Sequence, residues 1–247
     1  RQFRSDFMAQ YVYGKNVVLG LLEKKKNINQ LFIQSNRNDK SVEVLARKNG
    51  IKVDIVDRKV LDKLGDGNHQ GYVASVDDYK LFSLDELLDS ISSKKNPLLI
   101  ALDGLEDPHN LGAILRSAAC VNADGIIIEK NRSVGLNGTV AKVSAGAIDL
   151  VKVCQVTNLS QCLNELKKKG YWVIGSDCRD ATDYRKVDYN MALVLVIGSE
   201  GKGMHRLVKQ NCDILVKLPM ESNFESLNAS VACSVLLYQI YNCRNPI

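Results

Sequence analysis

No apolar run in this chain approaches the ~20 residues that cross a bilayer, which removes the expectation of a membrane-spanning helix. The first residues do not build the apolar centre of a secretory signal, and residues 1–10 read as a tail outside the folded domains. No C-x-x-C pair occurs. The seven cysteines (Cys120, Cys154, Cys162, Cys178, Cys212, Cys233, Cys243) are odd in number and scattered, several of them inside apolar segments. That pattern predicts buried, reduced thiols and a cytoplasmic protein. Only three histidines are present (His69, His109, His205), and none shares a ligand spacing with a cysteine, so no metal site is expected.

What is present is a chain of 247 residues, 45% hydrophobic, long enough for one large domain and a small one. The formal charge of +5 is unevenly spread. Residues 11–80 carry 13 Lys and Arg against 9 Asp and Glu, whereas residues 81–247 balance at 18 against 18. A basic small domain beside a neutral larger one fits an RNA-gripping module, although a modest basic face is more often only solvated.

Periodicity predicts helix, strand, helix, strand, helix, strand over residues 14–76, a small α/β domain. Gly65–Gly71 reads as a polar loop in which Asn68, His69 and Gln70 offer nucleic-acid contacts or form a plain turn. Residues 79–97 read as a connection whose helix opens on the capping box Ser83-x-x-Glu86. From residue 98, six short apolar strands alternate with helices, among them residues 139–148 and a last helix opening at Ser226. This predicts a mostly parallel sheet covered on both faces.

Two consecutive units near the C-terminus dominate the pattern. The strand 193–197 empties into Gly198-Ser-Glu-Gly201-Lys-Gly203, and the strand 214–218 empties into the polar loop 219–225. Loops at the carboxyl ends of buried strands are where open α/β sheets bind ligands. The glycine turn is not a P-loop, because Lys202 is followed by Gly203 rather than by a hydroxyl residue. It is not a dinucleotide fingerprint either, since Gly201-Lys-Gly203-Met-His-Arg206 ends in arginine. A third polar loop, 103–112, follows the strand at 98–102, and Arg116 lies just beyond it. A lone arginine is ordinarily a surface ion pair, here with Glu106 or Asp107. No Ser-His-Asp or Cys-His arrangement assembles around His109, and no glycosidase-like carboxylate pair occurs.

Together the segments DPHNLGAILRSA (107–118), LVIGSEGKGM (195–204) and LPMESNFESLNASVA (218–232) resemble the three motifs of the SpoU/TrmH family, in order and spacing. These are the SPOUT-class RNA 2′-O-ribose methyltransferases. The resemblance implies an L30e-like RNA substrate-binding domain at 11–78, a linker at 79–97, and a SPOUT α/β domain at 98–247 whose C-terminal part forms a trefoil knot. It implies S-adenosyl-L-methionine held by Gly198, Leu218 and Leu227, and a catalytic set of Asn110, Arg116, Glu200, Ser226 and Asn228, without metal. It also implies a homodimer. The layout is similar to the bacterial 23S rRNA guanosine-2′-O-methyltransferases; a tRNA enzyme and a non-catalytic rRNA-binding protein are the competing readings. Ser222 stands where the family usually has glycine, and Glu221 and Glu225 add charge to the same loop.

Overall fold

The computed structural model describes residues 10–24, 28–37, 39–64, 68–76, 79–177, 180–221 and 226–247. It divides into two compact units: residues up to Tyr79 with Leu136–Gly146, and Lys80–Gly135 with Ala147–Ile247.

The first unit runs β1 (Gln10–Tyr13), α1 (Lys15–Glu23), β2 (Ile28–Gln34), α2 (Ser41–Lys48), β3 (Lys52–Val56), α3 (Arg58–Leu64), β4 (Tyr72–Val76). Its sheet has the order β1-β4-β2-β3, with β4 antiparallel to both neighbours and β2 parallel to β3. The opening strand is an addition to the helix-first order read from periodicity. Four residues show no legible alternation, and the strand exists because it pairs with β4, more than 60 residues away. A helix from much later in the chain, α6 (Gly138–Val143), completes this unit. Gly138 packs on the Tyr11 carbonyl with no room for a Cβ, and Thr139 Oγ1 meets Tyr13 Oη at 3.1 Å. The helix read over 139–148 is therefore shorter, followed by a 3-10 turn at Ala147–Asp149. Ala145 and Gly146 take φ of 51° and 92°, which no helix continues through.

His69 is buried, and its contacts are structural. Nδ1 accepts from Gly71 N at 2.9 Å, so Nε2 is the protonated nitrogen facing Asp62 Oδ1 at 2.9 Å. Asn68 and Gln70, the latter at φ 52°, are the members of that trio that are exposed.

The second unit contains α4 (Leu84–Ile91), β5 (Leu98–Asp103), α5 (Pro108–Cys120), β6 (Gly125–Glu129), β7 (Lys152–Val156), α7 (Leu159–Lys168), β8 (Trp172–Ser176), β9 (Thr182–Asp183), β10 (Leu193–Gly198), α8 (Arg206–Gln210), β11 (Ile214–Lys217) and α9 (Ala229–Arg244). Its seven strands pair in parallel in the order β7-β6-β5-β10-β8-β11-β9. Every residue of β5 and β6 is buried, as expected of strands covered on both faces. The segment read as a connection packs into this unit: α4 begins on the expected capping box and places Leu87, Leu88 and Ile91 in the core with Leu99 and Ile127. The chain steps outward from β5 to β6 to β7, crosses to β8, and then inserts β10 between β5 and β8. This sets the carboxyl ends of β5 and β10 side by side, with Asp103 opposite Gly198 in the ladder. The last helix opens at Ala229, three residues after the expected Ser226, because Asn228 is its N-cap.

Candidate active site at the carboxyl edge of the parallel sheet

Three loops meet at this edge. The first follows β5 and enters α5, where Asp107 caps the helix by accepting from His109 N at 2.9 Å and Pro108 supplies a preset φ. Asn110 lies one turn in, on the buried face. The second is the turn after β10. Ser199 and Gly203 exchange backbone hydrogen bonds of 3.1 and 2.9 Å, while Gly201 and Gly203 take φ of 75° and 67°. A Cβ on Gly198 would lie 2.5 Å from Met204 N and 2.7 Å from Gly203 O, so this glycine makes room for its own turn. The third loop follows β11 and leads to Asn228; Ser222 and Glu225 lie outside the described residues.

The loops are joined through Glu200. Its Oε1 accepts from Asn110 Nδ2 at 3.2 Å, from Ala229 N at 3.3 Å, and from Asn228 Nδ2. Asn228 Nδ2 also donates to Asn110 Oδ1 at 3.0 Å. The opposite end of the same carboxamide caps α9, Oδ1 accepting from Ser230 N at 3.0 Å and Val231 N at 3.3 Å. Asn228 thus ties the start of the last helix to the other two loops. A carboxylate oxygen that accepts three N–H groups is oriented and committed as an acceptor.

The other expected residues take no part in these hydrogen bonds. Leu218 directly follows β11 and is half-buried; Ser226 and Leu227 precede Asn228 and are exposed. Arg116 lies six residues beyond Asn110 on α5, about 9 Å along the axis, and is exposed. Among the described residues it forms no ion pair, so the expected bridge to Glu106 or Asp107 is not made. His109 is exposed, and its ring has no hydrogen-bond partner among the described residues.

A pair that the sequence reading passed over sits at the same edge. Asp103 is 1% exposed, and its carboxylate takes His205 N on Oδ2 at 2.6 Å and faces His205 Nδ1 from Oδ1 at 2.7 Å. The available signal was an aspartate ending the otherwise wholly apolar strand Leu98–Asp103.

The residues present suit a neutral heterocycle attached to a cationic centre better than a phosphate. Carboxamides and a carboxylate line the junction, and Met220 and Leu227 expose apolar surface on the third loop.

Two family models cover most of the chain. Residues 97–238 match the SpoU rRNA Methylase family, and residues 11–82 match the family described as RNA 2′-O ribose methyltransferase substrate binding. YacO of Bacillus subtilis (strain 168), named as a TrmH-family tRNA/rRNA methyltransferase, is 48% identical over 241 residues, covering 96% of this chain and 97% of its own. A Staphylococcus haemolyticus protein named to the same family is 43% identical over 240 residues, covering 96% of each. In fold, the chain is similar to the SpoU methyltransferase AviRb from Streptomyces viridochromogenes, solved with AdoMet (TM-score 0.79, 21% identity, 96% and 90% of the two chains). It is also similar to an AdoMet-bound rRNA methyltransferase from Sinorhizobium meliloti (TM-score 0.77, 22% identity, 99% and 90%). With both halves matched and its length shared with these relatives, the chain belongs to the SpoU rRNA methylase family, a family of RNA methyltransferases with the SPOUT α/β fold.

Proposed function

We propose that this protein methylates a ribose 2′-hydroxyl of RNA in the cytoplasm, using S-adenosylmethionine, and that the acceptor is a guanosine of 23S rRNA. The observation that carries the reading is the Asn110–Glu200–Asn228 junction, which draws the three motif loops to one point at the carboxyl edge of the sheet. Bound there, the cofactor would supply a sulfonium-activated methyl group. Gly198, Leu218 and Leu227 provide the backbone and apolar surface for its adenine. Among the described residues Glu200 keeps one carboxylate oxygen outside the hydrogen-bonded set, a favourable neighbour for a sulfonium.

The insertion of β10 between β5 and β8, with α9 returning against α5, is the passage we assign to the trefoil knot. Ser117 Oγ and Ser234 Oγ, 2.7 Å apart, join those two helices. Arg116 faces solvent from α5, free to meet RNA. A guanidinium is a cation and a poor base, so it acts by gripping phosphate and stabilising charge on the ribose oxygen. The proton passes to a phosphate oxygen or water. Ser226 and Asn228 orient the acceptor side. Residues 11–78 bind the RNA, and the exposed apolar stripe of α9 pairs two copies into a homodimer.

Mapping 2′-O-methyl sites in rRNA and tRNA from cells with and without the gene tests the assignment. Loss of one guanosine mark in 23S rRNA is expected. Loss of a tRNA mark instead would transfer the substrate to tRNA, and no lost mark would leave an RNA-binding protein.

A further inference from the structure

The Asp103–His205 pair is used by nothing in the reaction described above, yet it lies at the same sheet edge. Asp103 ends β5 and is the ladder partner of Gly198, from which the glycine turn departs. A buried carboxylate must be held by donors, since its own hydration is lost. Among the described residues both donors belong to His205. An ionised carboxylate only accepts, so ring Nδ1 carries a hydrogen toward it and Nε2 is the end of the ring that points away from Asp103. The ring is 43% exposed. Its Cε1 fits the space left by Gly104 (φ 72°), where a Cβ would come within 3.3 Å, and a Cβ there would come 3.7 Å from Ser199 Oγ.

These contacts close a frame. The turn leaves β10 at Gly198, doubles back through the Ser199–Gly203 hydrogen bonds, buries Met204, and ends at His205. Its entry is fixed by the ladder with β5. Its exit is fixed to the last residue of the same strand by two bonds from a single residue. Glu200, the carboxylate that joins the three loops, lies between those two anchors. A turn with glycines at 201 and 203 has little stiffness of its own, so the external anchor determines where Glu200 points.

We infer that Asp103 and His205 are positioning residues that latch the exit of the glycine turn to β5, and that the Nδ1–H of His205, not its Nε2, is the working end. The inference rests on the reading of this turn as the methyl-donor loop. A general-base role for Nε2 is the chemical alternative, because a buried aspartate orienting an imidazole is also the arrangement of a proton acceptor.

The two are separated by a pair of substitutions in the full-length protein. His205→Ala keeps the backbone N–H but removes the ring donor. His205→Asn retains an amide N–H near the Nδ1 position and has no nitrogen in place of Nε2. Calorimetry with S-adenosylhomocysteine gives donor-site affinity, and methylation at saturating donor gives kcat and its pH profile. The latch predicts that His205→Ala weakens S-adenosylhomocysteine by about tenfold and raises the donor KM with it, while kcat stays within about threefold. It predicts that His205→Asn recovers most of that affinity with an unchanged pH profile. Wild-type affinity in His205→Ala overturns the latch. A large loss of kcat in His205→Asn with normal donor affinity and a vanished acid limb overturns it in favour of Nε2 as the base. Absence of binding by the wild type removes the donor-loop reading and the latch together, which distinguishes that failure from the failure of the latch alone.

Discussion

Arg116 and Asn228 illustrate how differently single residues serve this site. Arg116 is exposed, without an ion pair among the described residues, and separate from the carboxamide–carboxylate junction. Its removal should therefore cost turnover without disturbing the fold or the donor. Arg116→Ala is expected to lower single-turnover methylation at least about a hundredfold with unchanged S-adenosylhomocysteine affinity. Arg116→Lys should recover little, because the planar fork is lost with the charge retained; near-normal turnover by the alanine variant would refute the assignment. Asn228 has two tasks, and serine separates them. Asn228→Ser keeps a cap for α9, so the melting temperature should fall by no more than about 1 kcal/mol of stability implies. It loses the amide donated to Asn110 and Glu200, and methylation should fall about tenfold or more; full activity in a stable variant would count against the junction. Gly198, expected among the cofactor contacts, is a poor probe of that pocket, because a side chain there meets the backbone of its own turn first. The cysteines give a test by pH. Burial pushes the Cys154 thiol up to about 11 and those of Cys162, Cys212 and Cys233 to about 12. At pH 8 these four should resist a thiolate-selective reagent in the folded protein while the exposed Cys120 reacts, and rapid labelling of Cys233 would show the core to be open.

Among the elements, α9 is apolar on two sides. Cys233, Leu236, Leu237 and Ile240 are buried, whereas Val231, Val235 and Tyr238 expose 47%, 37% and 49% along a second stripe. A helix needs only one apolar stripe to pack on its own sheet, and the second asks for a cover. If that cover is a second copy, Val231→Glu should shift light-scattering mass at micromolar concentration from dimer toward monomer, with the fold retained. A monomeric wild type would remove the homodimer. The short α6 shows the reverse limit. Its sequence reads as part of the larger domain, but its buried Val140 and Ala141 belong to the unit built on β1 to β4.

For the whole molecule, this means that cutting the chain after residue 80 would strip α6 of its support, so a deletion would test folding as well as RNA binding. Charge removal on the intact protein is the cleaner probe of the basic first third. Arg37 and Lys40 are exposed in the first unit. If they contact phosphate, Arg37→Ala and Lys40→Ala should each weaken rRNA binding a few-fold, largely independent of sequence. The slope of log K against log salt should flatten by roughly 0.7–0.9 per contact. Affinity that ignores both salt and these substitutions would place the RNA elsewhere.

The sequence alone determined the succession of strands and helices, the capping box at Ser83, the loops that follow β5, β10 and β11, and the family those loops belong to. Each is a local matter of periodicity, capping chemistry or motif spacing. Tertiary structure decided which of these local pieces meet. It paired a four-residue β1 with β4, gave α6 to the first unit, slid β10 between β5 and β8, and buried His69 on Asp62 instead of leaving it for RNA. It also set Asp103 against His205, 102 residues later in the chain, and Asn110 against Glu200 and Asn228. Periodicity reports how deeply a residue is buried and says nothing of its partner. Partners are chosen by strand order in the sheet, a property of the folded chain as a whole.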